Sequence, residues 1–291
     1  MSDPINFEIE ELVARYELHP DRRDVFVEGE HDRGLIRAYL EREQCQQVAV
    51  LSISVVNLPA WLVLTRGLPH PSRRNEVITL AMELETRKVP AHQAVCIADA
   101  DFEYLMPQLV PCPLLLLTDY ASMELYAFSH ELVHSVLLIV SPKTSATGQS
   151  MLGDFAGPLQ FLFSVRIVNF SLQMRLAWID AIDKFFCVQN GRIDFDQGEF
   201  LKRYLLDRVS TILADKFQTE LARVQSLLSS DIRCRIRGHD FVRVLTWYLR
   251  TTEKCKHLTE DSVRQLLYVA IRVDELAAQP MFSSLRKRLV A

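Results

Sequence analysis

The chain has 291 residues, of which 49% are hydrophobic and 24% charged, with only 9 glycines and 12 prolines. This composition excludes a disordered chain, and the length suits one large or two modest domains. The net charge of −4 argues against a protein that coats nucleic acid over its whole surface, so any polyanion site must be confined.

Targeting and cysteine patterns give no sign of a membrane or secreted protein. The first residues lack the basic and apolar regions of a signal peptide, and no run of about 20 uncharged apolar residues occurs. The six cysteines lie far apart without a C-x-x-C pair, so neither a disulfide framework nor a zinc ribbon is indicated. We therefore expect a cytoplasmic protein with no membrane contact.

The first half of the chain alternates apolar runs with amphipathic segments. Helices are predicted at 7–18, 32–42, 72–88 and 122–138, and strands at 24–27, 47–56, 94–98 and 114–117. Because strands and helices alternate, we expect an α/β fold with a mostly parallel open sheet flanked by helices.

The second half of the chain has a different pattern. Residues 141–153 are rich in Pro, Lys, Thr, Ser and Gly, which predicts a domain boundary. Apolar periodicity of three to four residues then runs through 159–186, 199–228, 240–250, 259–276 and 283–289. The sequence thus predicts a sheet domain at 1–142 and an all-helical C-terminal domain at 153–291.

Acidic side chains follow the first, third and fourth predicted strands. In chain order they are Glu28, Asp32, Asp99, Asp101, Asp119 and Glu124. Ligands of open α/β sheets bind outside the carboxyl ends of the strands, so these carboxylates should lie near one another. Singly, each acid is more often a helix cap or turn residue, but converging carboxylates repel one another unless divalent cations hold them. Their joint placement predicts a Mg²⁺ or Mn²⁺ site suited to phosphoryl transfer.

Two local arguments support this convergence. Asp99 and Asp101 would point the same way if their segment stays extended, because side chains two apart on a strand share a face. Gly29 would let the backbone bend closely between Glu28 and Asp32.

Two of these segments resemble the motifs of the toprim superfamily. Residues 25–32, Val-Phe-Val-Glu-Gly-Glu-His-Asp, resemble its first motif, and residues 96–102, Cys-Ile-Ala-Asp-Ala-Asp-Phe, resemble its Asp-x-Asp motif. With the stretch around Glu124 and a helical second half, the chain looks like a toprim nuclease of the overcoming-lysogenisation-defect (OLD) type. It is most similar in kind to the effector subunits encoded beside an ABC-type ATPase in the PARIS anti-phage defence system.

The resemblance implies a metal-dependent endonuclease. Glu28, Asp32, Asp99 and Asp101 would hold Mg²⁺ or Mn²⁺, and Glu28, Asp99 and Asp101 would be catalytic, with Glu28 also moving protons. Glu124 would be a further ligand, although its neighbouring pattern is looser and a solvated residue in a first helical turn is its alternative role.

The same resemblance implies partners. The chain would be a toxic effector that the ATPase subunit holds inactive. When active it would form a homodimer and cleave host nucleic acid, with tRNA as the expected substrate in preference to DNA. An OLD-type DNase and a non-catalytic module that docks on an ATPase are the alternatives.

A second metal motif lies in the predicted helix at 122–138. His130-Glu131-Leu132-Val133-His134 matches the H-E-x-x-H pattern of zinc proteases. No His or Glu occurs between 135 and 198 to supply a third ligand. We therefore expect His130 and His134 to be surface or helix-packing residues, with the zinc protease as a further alternative.

Basic residues are concentrated at 231–257, a segment that contains seven Lys or Arg residues and three acidic residues. The alternation of Arg with apolar residues over 233–237 predicts an extended segment with one basic face. With Trp247 and Tyr248 nearby, it could bind a phosphate backbone, although a solvated helix face with core aromatics is the alternative. The candidate nucleic-acid-binding residues are Arg233, Arg235, Arg237, His239 and Arg243.

Three further patterns have local interpretations. Asp196, with Glu199 three residues later, predicts a helix start, in preference to a second metal-binding Asp-x-Asp with Asp194. Asp240 is predicted to cap the next helix. The basic residues at 286–288 are a second candidate surface for a polyanion, with a fraying terminus as the alternative.

Overall fold

The computed structural model describes residues 6–45, 47–189, 192–206, 209–227 and 231–290. The chain divides into two compact units, each built from separate stretches of sequence. Unit 1 comprises 1–100, 108–119 and 271–291, and unit 2 comprises 101–107 and 120–270. This division differs from the predicted domains at 1–142 and 153–291, which stay a prediction.

The elements alternate between strands and helices in the first half and are mainly helical afterwards, as predicted. The strands are β1 Arg23–Val27, β2 Val48–Ser52, β3 Ala94–Ala98, β4 Leu115–Leu117, β5 Phe186–Gln189 and β6 Arg192–Phe195. The α-helices are α1 Ile9–Leu18, α2 Glu30–Arg42, α3 Ala60–Thr65, α4 Arg73–Thr86, α5 His130–Val140, α6 Gly148–Ser171, α7 Gln197–Leu205, α8 Thr211–Ser226, α9 Gly238–Thr251, α10 Glu260–Ala270, α11 Val273–Ala277 and α12 Pro280–Val290.

Unit 1 is built around a parallel sheet with the strand order β2-β1-β3-β4. In its register Val25 lies opposite both Val50 and Val95, and Ile97 lies opposite Leu116. The chain runs from β1 to β2 on one side and then crosses to β3 on the other side of β1. The carboxyl ends of β1 and β3 therefore flank a topological switch point, where ligands of open α/β sheets bind.

Helices on the sheet explain why its strands are mostly apolar. Helix α4 packs against β3 and α1 packs against α4, while α2 packs against β1 and β2. All five residues of β3 are buried, as are four of the five in β1. Parallel strands covered in this way form near-continuous apolar runs, which is why the sequence showed them clearly.

The C-terminal helix belongs to unit 1. Both carboxylate oxygens of Asp119, just after β4, accept from the backbone N–H of Met281 at 3.0 and 3.2 Å. The Tyr39 hydroxyl of α2 donates to the Phe282 carbonyl at 3.2 Å, and the two rings meet edge to face at 4.8 Å. Asp119 therefore satisfies an unpaired donor at the start of α12, which is a structural role.

Unit 2 contains α5 to α10 and a small antiparallel hairpin of β5 and β6, in which Phe186 lies opposite Phe195. The prediction of an all-helical second half missed this hairpin. The sequence between the two strands reads Asn-Gly, a pair typical of hairpin turns, so the signal was present. The predicted helix start at Asp196 is confirmed, because its side chain accepts from the Glu199 N–H at 2.8 Å.

Helix limits in unit 2 differ from prediction in three places. The segment predicted as one helix from 122 begins with a 3₁₀ helix, Met123–Ala127, before α5 starts at His130. Helix α6 begins at Gly148, inside the predicted boundary region. The predicted helix at 199–228 is divided between α7 and α8.

Helix α6 has 24 residues and, among the described parts of the chain, is the helix long and apolar enough to cross a membrane by length and composition. Its most apolar 18-residue window has a mean hydropathy of 1.2, and 61% of that window is buried within the protein. Such burial is typical of a core helix, and the finding is compatible with a soluble protein.

Candidate functional site

Glu28 and Asp99 meet at the topological switch point of unit 1. Glu28 directly follows β1 and Asp99 directly follows β3. The Glu28 Oε1 atom accepts a hydrogen bond from the Asp99 backbone N–H at 2.8 Å. The structure thus brings two of the predicted site residues together at the sheet edge where the strand order predicts a ligand.

The backbone of Asp99 and Ala100 is held by three side chains from other elements. Glu28 accepts from the Asp99 N–H, and the Thr118 Oγ1 accepts from the Ala100 N–H at 2.9 Å. The Arg74 guanidinium donates through Nε to the Asp99 carbonyl at 2.7 Å and through a terminal nitrogen to the Ala100 carbonyl at 3.4 Å. All four backbone polar groups of this loop are therefore paired with side chains beyond the end of the strand.

Sequence reasoning missed both Arg74 and Thr118. Thr118 follows the predicted strand at 114–117, so its place at the carboxyl edge of the sheet was a usable signal. Arg74 lies in the first turn of α4, where nothing in the sequence shows which carbonyl it will face.

Asp32 lies in the first turn of α2, which begins at Glu30. A carboxylate is favoured there because the helix N-terminus carries a partial positive charge. The predicted bend at Gly29 is present, since Glu28 and Gly29 form a bend between β1 and α2. Gly29 itself has an extended backbone, with φ −149° and ψ 176°, and an added Cβ would meet nothing within 4 Å, so the bend does not require a glycine.

Asp101 begins a stretch of unit 2 and has an uncommon backbone. The prediction that Asp99 and Asp101 share an extended segment is wrong, because β3 ends at Ala98 and Asp101 has a φ of 48°. The Asp101 N–H donates to the Ala121 carbonyl at 2.8 Å, which holds it in this left-handed conformation. Aspartate is among the residues that tolerate it. The metal role of Asp101 stays a prediction.

Glu124 is buried in unit 2, with 4% of its surface exposed, so the alternative of a solvated residue is wrong. Its Oε1 lies 3.2 Å from Arg264 Nε and 3.7 Å from His239 Nε2. Burial raises the pKa of the Glu124 carboxyl, but His239, the residue's own backbone N–H and Arg264 outweigh this effect and hold the pKa below its ordinary value. The Arg264 guanidinium thus helps to stabilise the carboxylate, and the metal role of Glu124 stays a prediction.

The donor chemistry at the switch point fits Mg²⁺, since Glu28, Asp32 and Asp99 offer carboxylate oxygens. Within the described residues, no group of three or more Asp, Glu, His or Cys side chains is arranged to hold a metal ion. Mg²⁺ commonly takes only one or two protein carboxylates and completes its octahedron with waters and substrate phosphate oxygens. Glu28 and Asp99 are two carboxylate residues at the switch point, and their metal role stays a prediction.

The H-E-x-x-H motif forms the first turns of α5. The Ser129 side chain caps this helix by accepting from the Leu132 N–H at 3.2 Å. His130 is exposed and His134 is half-buried, as expected for surface or packing residues. A Cβ on Gly148 of α6 would clash with the His130 carbonyl, so the two helices pack backbone to backbone. In the described chain no third ligand joins the histidines.

The prediction of an extended basic segment at 233–237 is wrong. Residues Ile232–Cys234 form a 3₁₀ helix. Arg233 pairs with Asp231 at 2.8 Å, and its guanidinium lies 3.8 Å from the centre of the Tyr120 ring. Part of the positive charge is thus engaged within unit 2.

The other predicted nucleic-acid-binding residues lie in or beside α9. When the Gln160 side-chain amide is oriented so that its oxygen faces Arg235, this oxygen accepts a hydrogen bond from Arg235 Nε at 2.6 Å. Arg243 pairs with Glu260 at 2.9 Å. Arg237 is the N-cap residue of α9 and His239 in its first turn has an exposed side chain. Some of these side chains are thus paired within the protein and His239 is exposed. Their role in binding nucleic acid stays a prediction.

Of two smaller expectations, the first is corrected. Asp240 does not cap α9, which begins two residues earlier. It lies buried in the first turn and pairs with Arg166 at 2.9 Å. The basic residues at 286–288 lie within α12, where Arg286 pairs with Glu43 at 3.0 Å. They are part of unit 1, and their role as a surface for a polyanion stays a prediction.

No protein-family model and no curated protein matches the chain. Function is therefore inferred from the geometry of the site and from the resemblance of its motifs.

Proposed function

We propose that the chain is a Mg²⁺-dependent toprim nuclease that hydrolyses phosphodiester bonds. The observation that carries the proposal is the 2.8 Å hydrogen bond between Glu28 and the Asp99 N–H, which places two acidic residues together at the switch point of a parallel sheet. The motif resemblance supports the same two residues. Carboxylates at this position suit the hydrolysis of phosphate esters because they can hold a divalent cation against the substrate.

Glu28, Asp32 and Asp99 would hold the ion. The metal roles of Asp101 and Glu124 rest on the resemblance alone. Bound Mg²⁺ supplies a Lewis acid that offsets the negative charge growing on the phosphoryl oxygens. Asp99 presents its carboxylate from a loop whose backbone is fixed, and Glu28 accepts or returns a proton beside it. Mn²⁺ would substitute for Mg²⁺ because both accept oxygen ligands.

The substrate and partners in this proposal follow from the resemblance. The chain would cleave host RNA, tRNA in particular, as a toxic effector of anti-phage defence. An ABC-type ATPase subunit would hold it inactive, and the released protein would act as a homodimer. A DNase of the OLD type differs only in substrate, so one assay with both nucleic acids separates the two.

Purified protein tests the activity. Wild type, Glu28→Gln and Asp99→Asn are incubated with tRNA and with duplex DNA, in Mg²⁺ and in a chelator. The matched control is Glu30→Gln, because Glu30 is exposed, lies two residues from Glu28 and pairs with Arg33 on its own helix at 2.8 Å. We expect wild type and Glu30→Gln to cleave, and the two site variants to lose about 100-fold or more, the scale of losing proton transfer.

Two results would overturn the proposal. Cleavage that persists in the chelator would exclude the metal requirement. Cleavage by Glu28→Gln at the wild-type rate would remove the site from the reaction. Cleavage of DNA alone would transfer the assignment to a DNase.

A further inference from the structure

We propose that Arg74 is a positioning residue that pre-organises the metal-binding loop of unit 1. This inference rests on the proposed function, because it gives Arg74 a role toward the ion that Glu28 and Asp99 would hold. Its basis is the pair of hydrogen bonds from the guanidinium to the carbonyls of Asp99 and Ala100, at 2.7 and 3.4 Å.

The loop needs these donors because it lies beyond the sheet ladder. Strand β3 ends at Ala98, so the carbonyls of Asp99 and Ala100 are not part of a strand. Ala100 is fully buried, and a buried carbonyl without a donor is costly. Arg74 supplies two donors from one side chain, while Glu28 and Thr118 accept from the two N–H groups. The loop is thereby fixed on both sides of its backbone.

The helix start that carries Arg74 is held in place by side-chain hydrogen bonds. Helix α4 is capped by the Ser72 side chain, which accepts from the Asn75 N–H at 3.2 Å. The buried Asn75 amide donates to the His70 carbonyl at 2.8 Å. Arg74 therefore projects from a fixed helix start, and the position of the Asp99 loop is tied to that of α4.

The guanidinium shape is the feature that lysine cannot replace. Its planar fork carries several N–H donors in fixed directions, whereas a lysine ammonium is a single point charge on a flexible chain. Arg74→Lys keeps the positive charge but cannot hold both carbonyls in the same way. Comparing this variant with Arg74→Ala separates the effect of charge from the effect of geometry.

A binding measurement tests the role without relying on activity. Free Mn²⁺ is followed by electron paramagnetic resonance during titration of wild type, Arg74→Ala, Arg74→Lys and Glu28→Ala. The matched control is Arg73→Ala, since Arg73 precedes Arg74 on the same turn, is 58% exposed and pairs with Glu76 at 2.9 Å. Losing a residue that orients a ligand typically weakens metal binding by 10- to 100-fold. We expect Arg74→Ala to weaken Mn²⁺ binding by about that factor. Arg74→Lys should weaken it by nearly as much, and Arg73→Ala should leave it unchanged.

A second measurement works without any metal. Hydrogen exchange of the peptide covering 94–102 should be faster in Arg74→Ala than in wild type and unchanged in Arg73→Ala. Circular dichroism melting confirms that each variant is folded, and Arg74→Lys serves if Arg74→Ala is not.

The outcomes separate the two proposals. Wild-type protein that lacks Glu28-dependent Mn²⁺ binding would overturn the proposed function, and the positioning role with it. Wild type that binds, together with an Arg74→Ala variant that binds within threefold of it and shows the same exchange, would overturn the positioning role alone.

Discussion

Thr118→Val should destabilise unit 1 by removing one acceptor from the Asp99 loop. Thr118 and Ala100 are both fully buried, and the Thr118 Oγ1 accepts from the Ala100 N–H at 2.9 Å. Valine has nearly the same shape, so packing is retained while the buried amide loses its acceptor. An unsatisfied buried donor costs about 1–3 kcal/mol, and we expect a loss of unfolding free energy in that range.

Urea denaturation measures this loss, and Thr118→Ser is the matched control. Serine keeps the hydroxyl and removes one methyl group, which costs about 0.8 kcal/mol of burial. Exchange of the Ala100 amide should therefore rise in the valine variant and stay slow in the serine variant. A valine variant as stable as wild type, with a protected Ala100 amide, would refute the importance of this bond.

Two other changes test packing and charge elsewhere in the chain. Gly148→Ala should cost about 1–3 kcal/mol in thermal or urea unfolding, because its Cβ would clash with the His130 backbone, whereas Gly153→Ala in the same helix meets nothing within 4 Å and should be neutral or stabilising. Equal effects of the two alanines would contradict the close approach of α5 and α6. Burial raises the pKa of the Glu83 carboxyl, but its ion pairs with Arg87 and Arg66 outweigh this effect and hold the pKa below its ordinary value of 4.5. The stability that wild type gains over Glu83→Gln should therefore be complete above about pH 4.5 and disappear as the pH falls through the folded pKa. If the difference in unfolding free energy between wild type and Glu83→Gln is the same at pH 3 and pH 7, the Glu83 ion pairs are not its source.

The sheet of unit 1 was predictable because burial on both faces leaves a strong sequence signal. The run Ala94–Ala98 has no charged residue and forms β3 as predicted. The acids after β1 and β3 were also predictable as neighbours, since parallel strands present their carboxyl ends at one edge. The hydrogen bond from the Asp99 N–H to Glu28 agrees with that expectation.

The basic segment was misread because a local acid, Asp231, turns the chain and because the second partner of Arg233, Tyr120, is distant in sequence. Alternating Arg and apolar residues over 233–237 favour an extended chain when considered alone. In the structure Asp231 accepts from the Arg233 N–H and starts a 3₁₀ turn, and the Tyr120 ring lies under the guanidinium. A contact across more than 100 residues cannot be deduced from local periodicity.

Glu124 shows the same limit for charged residues. In sequence it lies near the end of β4 and suggests either a ligand or a solvated side chain. Its burial depends on Arg264, 140 residues further along the chain, which supplies the compensating charge. Likewise, Arg74 gains its role from the carbonyls that the fold places opposite α4.

The most direct measurement of the central claim is expression of wild type and Glu28→Ala in growing cells without an ATPase partner, with growth and total nucleic acid examined together. The proposed nuclease predicts that wild type arrests growth and leaves tRNA fragments, and that Glu28→Ala, expressed to the same level, does neither. Intact RNA and DNA with identical growth in both strains would contradict it and favour a docking module.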